Sequence, residues 1–266
     1  PLAHAYSCAF NFLVQMAVGA HVYLLGKVPS PKILLKAFEE VKPNLILTVP
    51  LILEKIYKKM ILPQLSKTTM KVALNIPLLD SRIYAQIRKK LVDAFGGRFR
   101  EVIVGGAAMN EEVTNFLYKI KFPFTIGYGM TECGPLISYD HNDEYVPGSC
   151  GQILKGIMKV RIDSEDPYNK VGEIQVSGEN VMKGYYKNEE ATSKVFTEDG
   201  WLRTGDLGTI DADNRIYIRG RSKTMILGAS GQNIYPEEIE SKLNNLPFVM
   251  ESIIIEKNGK LVGLVY

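Results

Sequence analysis

Apolar positions in the first half of the chain come in short runs separated by segments of helical spacing. Residues 10–20 read as a helix closed by a glycine, and 21–25 as an apolar strand. Ser30-Pro31 supplies an N-cap and a first-turn proline for a second helix, which Lys42-Pro43 ends. A buried strand is expected over 45–49. Residues 81–95 form a basic amphipathic pattern stopped by Gly96-Gly97. A strand over 100–104, a helix capped by Asn110 and running to about 120, and a strand over 124–127 follow. Short apolar strands alternating with helices predict an α/β subdomain with a parallel sheet.

The pattern changes near Gly148. Residues 157–162 and 171–177 alternate apolar and polar as antiparallel strands do, with Gly and Asp-Pro turns between them. Another strand, 215–219, follows the turn signal at Asp211-Ala-Asp-Asn214. These predict a small antiparallel β-barrel or sheet. After Gly220 the signals are a hairpin, a helix opened by Pro236-Glu237-Glu238, and strands over 251–255 and 260–266, the start of a small α+β domain. The predicted organisation is therefore an α/β subdomain over 1–147, a β subdomain over 148–220, and a hinge with the first part of a C-terminal domain over 221–266. Both ends, Pro1 without an initiator methionine and an apolar run reaching Tyr266, read as cut within a larger protein.

Composition sharpens this only in places. With 266 residues, 46% hydrophobic and 23% charged, the chain is an ordinary globular sequence and not a disordered, collagen-like or coiled-coil one. A net charge of +3 is too small to imply nucleic acid. Between 51 and 100, however, 11 Lys or Arg face three acids (Glu54, Asp80 and Asp93), a local balance of +8 that leaves −5 elsewhere. A solvated helical face and a surface for phosphates or anionic lipid both fit that excess. Cys8, Cys133 and Cys150 have neither metal-site nor disulfide spacing, which points to a reduced, cytoplasmic compartment. No run approaches the ~18 apolar residues of a membrane span.

Four segments carry candidate chemistry. Thr125-Ile-Gly-Tyr-Gly-Met-Thr-Glu-Cys-Gly134 follows a strand and so lies where open α/β sheets bind ligands. Its glycines admit close backbone approach, Tyr128 offers a flat face, Thr131 a hydroxyl, and Glu132 a hard oxygen that suits Mg²⁺. A Gly-rich turn with a capping Thr is the plainer account of the same residues. Gly105-Gly106-Ala107 follows the neighbouring strand; it lacks the spaced glycines of dinucleotide sites, and a tight βα turn would explain it. Trp201-Leu-Arg-Thr-Gly-Asp206 places an acid where two ribose hydroxyls could donate to it, or where it is simply a turn acid. Gly220-Arg-Ser-Lys223, followed by the 228–233 loop, reads either as a ligand-lined hinge or as a linker before a capped helix.

The order of these elements resembles the adenylate-forming superfamily, specifically the AMP-forming acyl-CoA ligases, across essentially the whole chain. The Tyr-Gly-Met-Thr-Glu and Thr-Gly-Asp elements are specific in combination, and Pro1-Leu-Ala-His4 is similar to the family's segment beside the acyl pocket. The resemblance implies activation of a carboxylate by ATP with Mg²⁺ and transfer of the acyl group to coenzyme A. It implies nucleotide contacts from Gly105, Gly106, Ala107, Gly127, Tyr128, Gly129, Met130, Thr131, Asp206 and Arg221. Thr131 and Glu132 would be catalytic, with Glu132 holding Mg²⁺. Lys223 would be the hinge, and Ser230, Gly231 and Gln232 would line the coenzyme A tunnel. His4, Gly127, Cys133 and Gly134 would border the acyl group.

Two expected parts do not occur in these 266 residues: the family's phosphate-gripping loop with its Lys, and its C-terminal catalytic Lys. The chain by itself is therefore expected not to adenylate. No Asp precedes Asp80, unlike amino-acid-activating relatives, and the basic helical stretch is similar to that of long-chain fatty acid ligases. Lys55, Lys58, Lys59, Lys67 and Lys71 would suit peripheral contact with a membrane. A non-catalytic nucleotide- or acyl-binding module is the competing reading; a nicotinamide oxidoreductase is disfavoured by the absent fingerprint.

Overall fold

The computed structural model describes residues 2–27, 29–77, 79–228, 232–246, 249 and 251–266. Backbone packing divides the chain into two compact units. One runs to Thr131 and takes in Asp140–Gly148; the other comprises Glu132–Tyr139 and Ser149–Tyr266.

In the first unit, wide π-type turns over Ser7–Leu13 lead into the short helix α1 (Val14–Ala17). The strand expected over 21–25 does not form. Tyr23 and Leu24 are 63% and 69% exposed, and no described strand offers a ladder to residues 21–25. Helix α2 (Pro31–Val41) starts as expected: the Ser30 hydroxyl accepts from the Ile33 amide at 3.4 Å, and Pro31 needs no partner in the first turn. Strand β1 (Leu45–Thr48) precedes the helical run α3 (Pro50–Ile56), a π turn at Tyr57–Ile61, α4 (Leu62–Leu65) and α5 (Thr68–Ala73). Helix α6 (Leu79–Ala94) follows, then β2 (Glu101–Val104), α7 (Glu111–Lys119), β3 (Phe124–Ile126) and the short β4 (Tyr128–Gly129).

Strands β1, β2 and β3 form a parallel sheet in that order, with Thr48, Val104 and Ile126 level at their carboxyl ends. Parallel sheets need cover, and here an aromatic cluster supplies part of it. Phe95 stacks on Phe38 at 5.3 Å and meets Phe99 and Phe122 at 5.9 and 5.6 Å.

The second unit opens with a single 3₁₀ turn (Thr131–Cys133 spans its start) and β5 (Leu136–Ser138). Its main body is an antiparallel meander of β6 (Met158–Asp163), β7 (Gly172–Gly178), β8 (Leu202–Ile210) and β9 (Ile216–Arg221). Ile174, Val176, Leu202 and Ile216 are fully buried on it. Among the described residues this is an open sheet and not a closed barrel. Helix α8 (Glu189–Val195) lies between β7 and β8. A hairpin of β10 (Ile226–Leu227) and β11 (Asn233–Ile234), helix α9 (Pro236–Leu243), and a hairpin of β12 (Ser252–Lys257) and β13 (Lys260–Val265) complete it. No described helix is long and apolar enough to cross a membrane.

Candidate functional site

In the first unit two Gly turns leave the sheet side by side. The Gly105 amide donates to Thr48 O at 3.1 Å, and the Gly127 amide donates to Val104 O at 2.9 Å. Each turn therefore continues the ladder by one rung before departing from it. Gly106 has a φ of 88°, a conformation open to glycine and strained for other residues. A Cβ on Gly105 would stand 3.2 Å from the Tyr6 ring, whose hydroxyl donates to Ile103 O at 3.2 Å. Tyr6 thus packs over the turn, and its burial holds the phenol well above the ordinary tyrosine range. Gly106 and Ala107 are exposed, whereas Tyr128 is buried.

The helix after the first turn is anchored by side chains. The Asn110 side-chain Oδ1 accepts from the amides of Glu112 and Val113 at 3.0 and 3.3 Å, the cap expected from sequence. Glu54 accepts from the Asn110 amide at 2.9 Å, and the Tyr57 hydroxyl donates to Glu112 at 3.2 Å. His4, at the start of this unit, is exposed; its Nδ1 accepts from the Tyr6 amide at 3.3 Å.

In the second unit the Glu132 carboxylate accepts the Tyr185 hydroxyl at 2.9 Å, and the Glu132 carbonyl accepts the Met182 amide at 2.7 Å. Beside it, the Asn180 amide group donates to Cys133 O at 2.6 Å and Leu136 O at 2.8 Å. Cys133 is fully buried, and burial pushes its thiol up to about 12 with the Glu132 charge adding to the shift. The 180–185 segment therefore braces the 132–136 segment, and neither Asn180 nor Tyr185 was singled out by sequence. The only sequence signal for Tyr185 is an aromatic after Gly184.

The sequence places Asp206 as an acid beside a turn. It instead sits inside β8, level with Arg221 on β9. Thr204 keeps the strand attached by donating to Ile174 O at 2.7 Å, while its Oγ1 accepts the Asp206 amide at 3.1 Å. The Asp206 side chain is 10% exposed and lies 3.1 Å from Arg221 Nε; the Arg221 side chain is 72% exposed. A largely buried acid with an exposed cationic neighbour can accept from paired hydroxyls without losing all its compensation.

Lys223 is exposed in the turn after β9, where Thr224 donates to Glu237 at 2.6 Å. Gln232 accepts from the Gly228 amide at 2.8 Å through its backbone carbonyl. Ser230 and Gly231 lie outside the described residues. Thr131 and Gly129 are exposed, Met130 is half-buried, and Gly134 is exposed with a φ of 63°.

No trio of His, Cys, Asp or Glu arranged for a metal occurs among the described residues. Glu132 nevertheless fits Mg²⁺, which keeps several waters and takes one or two carboxylates together with substrate phosphates. Its half-buried carboxylate is oriented by one hydrogen bond, to Tyr185, leaving a second oxygen for the ion.

Comparison with known proteins supplies the family and the shared fold. The family model described as AMP-binding enzyme matches residues 1–186. A long-chain-fatty-acid–CoA ligase, ACSBG2 of Rattus norvegicus, is 26% identical over 99% of this chain and 43% of its own. ATP-bound MatB from Rhodopseudomonas palustris shares the fold with a TM-score of 0.75 at 26% identity, over 100% of this chain and 48% of MatB. O-succinylbenzoate coenzyme A synthetase (MenE) of Bacillus subtilis, in complex with ATP and magnesium ion, superposes with a TM-score of 0.73 at 26% identity, over 99% and 49%. The chain thus spans less than half the length of these relatives. With the family model covering well over half of its residues, this chain belongs to the AMP-binding enzyme family and is related to the adenylate-forming acyl-CoA ligases.

Proposed function

We propose that this chain serves an AMP-forming acyl-CoA ligase reaction. A substrate carboxylate oxygen attacks the α-phosphorus of ATP, the bond to the β-phosphate breaks, and pyrophosphate leaves. The coenzyme A thiol gives up its proton to solvent, its sulfur attacks the acyl carbon, the mixed anhydride breaks, and AMP leaves. Neither step needs a protein nucleophile; both need alignment and charge neutralisation. Gly105, Gly106, Ala107 and Tyr128 receive adenine, Asp206 and Arg221 the ribose, and Thr131 a phosphate. Glu132 holds Mg²⁺, which draws charge from the phosphates when bound. Lys223 acts as the hinge, His4, Gly127, Cys133 and Gly134 border the acyl group, and Gln232 with its neighbours lines the coenzyme A path.

The observation that carries this reading is the pair of Gly turns at the level carboxyl ends of β2 and β3, with Tyr128-Gly-Met-Thr-Glu132 running directly from the second. The expected result is AMP binding that raises the melting temperature of the chain, with a shift that keeps growing with the logarithm of AMP concentration above the dissociation constant. No shift at millimolar AMP would overturn the reading.

The acyl group is proposed to be a long-chain fatty acid. The name of the rat relative supports this, while MenE, which shares the fold, is named for a different acid, O-succinylbenzoate. Sulfamoyl-adenosine analogues test it: a palmitoyl analogue is expected to bind more tightly than an acetyl one, and equal affinity would remove the proposal. Exposed Lys55, Lys59, Lys67 and Lys71, with Val72 and Ile76 also exposed, support contact with an anionic membrane surface. Co-sedimentation with phosphatidylserine vesicles is the check; unchanged binding after Lys55, Lys58, Lys59, Lys67 and Lys71 become Gln would dismiss it.

A further inference from the structure

The segment that follows β7 builds a small scaffold behind Glu132. Asn188 caps α8 through its side chain, accepting from the Ala191 amide at 3.0 Å. One turn in, the Thr192 hydroxyl donates to Asn188 O at 2.8 Å and accepts the Tyr185 amide at 2.9 Å. Gly184, at a φ of 152°, lets the chain pass Thr192; a Cβ there would fall 2.8 Å from Thr192 Cγ2. These contacts fix the Tyr185 backbone, and the phenol then reaches Glu132 Oε1 at 2.9 Å. The partners are 53 residues apart in sequence, so the bond exists only because the fold brings them together.

We propose that Tyr185 is a positioning residue for the divalent cation: its hydroxyl fixes the Glu132 carboxylate so that the second oxygen faces Mg²⁺ bound to ATP. This rests on the assignment of Glu132 to the metal. A phenol is suited to the task. It donates one hydrogen bond and carries no charge, so it orients the carboxylate without neutralising the negative charge that attracts the ion. An Arg or Lys in its place would compete with the cation. Thr192 acts one step further out, holding the Tyr185 backbone.

The test is Tyr185→Phe in the full chain, which removes the hydroxyl and keeps the ring. ATP binding is followed by calorimetry across a Mg²⁺ titration, with AMP binding in EDTA measured alongside. Removing an outer partner of a metal ligand commonly weakens the metal by about 10–100-fold. The expected result is a Mg²⁺ midpoint raised about tenfold with AMP affinity unchanged. Thr192→Val should raise the midpoint in the same direction and Thr192→Ser should restore it, since serine keeps the acceptor for the Tyr185 amide. An unchanged midpoint in Tyr185→Phe overturns the proposal, as does a parallel loss of AMP affinity, which would mark a general structural role. Mg²⁺-independent ATP binding by the unsubstituted chain, with AMP still bound, overturns the Glu132 assignment and this inference with it. Failure to bind AMP as well would instead reject the nucleotide-binding reading as a whole.

Discussion

The two units present the groups proposed to meet the ligand in different ways. In the first, the Gly105 and Gly127 turns are made of backbone and are held by amides donating to Thr48 O and Val104 O, extensions of the sheet ladder itself. In the second, Glu132 and Asp206 are carboxylates set by other side chains, Tyr185 and Arg221. A backbone site cannot be altered without disturbing the sheet that forms it. A side-chain site can be emptied while its scaffold stands. Stability and binding should therefore fall together in the first unit and separate in the second.

The largest effect is expected from Phe95→Ala. Phe95 is 1% exposed and touches Phe38, Phe99 and Phe122, so its loss leaves a cavity that its rigid ring neighbours cannot close. A cost of about 3–5 kcal/mol is expected for such a truncation, read as a lower denaturant midpoint with AMP affinity falling alongside. Retained AMP affinity in a destabilised variant would break the comparison. Asp206→Ala should show the opposite pattern. Losing charge-assisted hydrogen bonds to the ribose is worth about 1.5–3 kcal/mol, or roughly 10–100-fold in AMP affinity. Its denaturant midpoint should hardly move, because the cation left behind is mostly in water.

Alkaline titration sharpens the second half of the contrast. Burial pushes the Cys150 thiol up to about 12, and the Asp206 charge contributes to the shift. The unfolded thiol ionises near 9, while the folded one keeps its proton until about 12. The stability tied to this group is thus fully present below pH 9 and is lost as pH rises towards 12, with a slope of at most ~1.4 kcal/mol per pH unit. Cys150→Ala should flatten that slope in urea unfolding between pH 9 and 10.5. An identical slope would show that the folded thiol is not held above its unfolded value. Gly106→Ala probes the first unit more gently. A β-carbon at a φ of 88° is expected to cost about 1 kcal/mol, with a matching loss of AMP affinity.

Local signals made the backbone half of the molecule legible. Ser30 and Asn110 act as caps where the sequence places them, and the strands 45–48, 101–104 and 124–126 follow from apolar runs bounded by breakers. The failures are non-local. Residues 21–25 have the composition of a strand, but a strand is defined by a partner and they have none among the described residues. Strand β8 was missed because Thr204-Gly205-Asp206 interrupts its apolar pattern; the Thr204 bond to Ile174 O, made across the sheet, carries the strand through. The family's motif order points to Glu132 and Asp206 as candidates but not to what orients them. Tyr185 reaches Glu132 over 53 residues of intervening chain, a spacing that no period of helix or strand encodes.

The smallest expected effect belongs to Arg221→Gln, and it tests how far the contrast reaches within one ion pair. Asp206 and Arg221 are level on adjacent strands, so a simple pairwise view would give their removal equal weight. Their surroundings are unequal: 10% exposure for the acid against 72% for the guanidinium. An exposed cation gains little from its partner, because water and salt screen the charge, and such pairs are worth roughly 0–1 kcal/mol. Arg221→Gln should therefore weaken AMP binding no more than about fivefold, an affinity loss that follows from that same range, and should leave the denaturant midpoint in place. The residual effect should shrink further in 0.5 M NaCl, where exposed charges separated by more than a few ångströms are screened. A loss equal to that of Asp206→Ala would mean that Arg221 is drawn into a desolvated contact when nucleotide binds, and that the side-chain site is completed by its ligand.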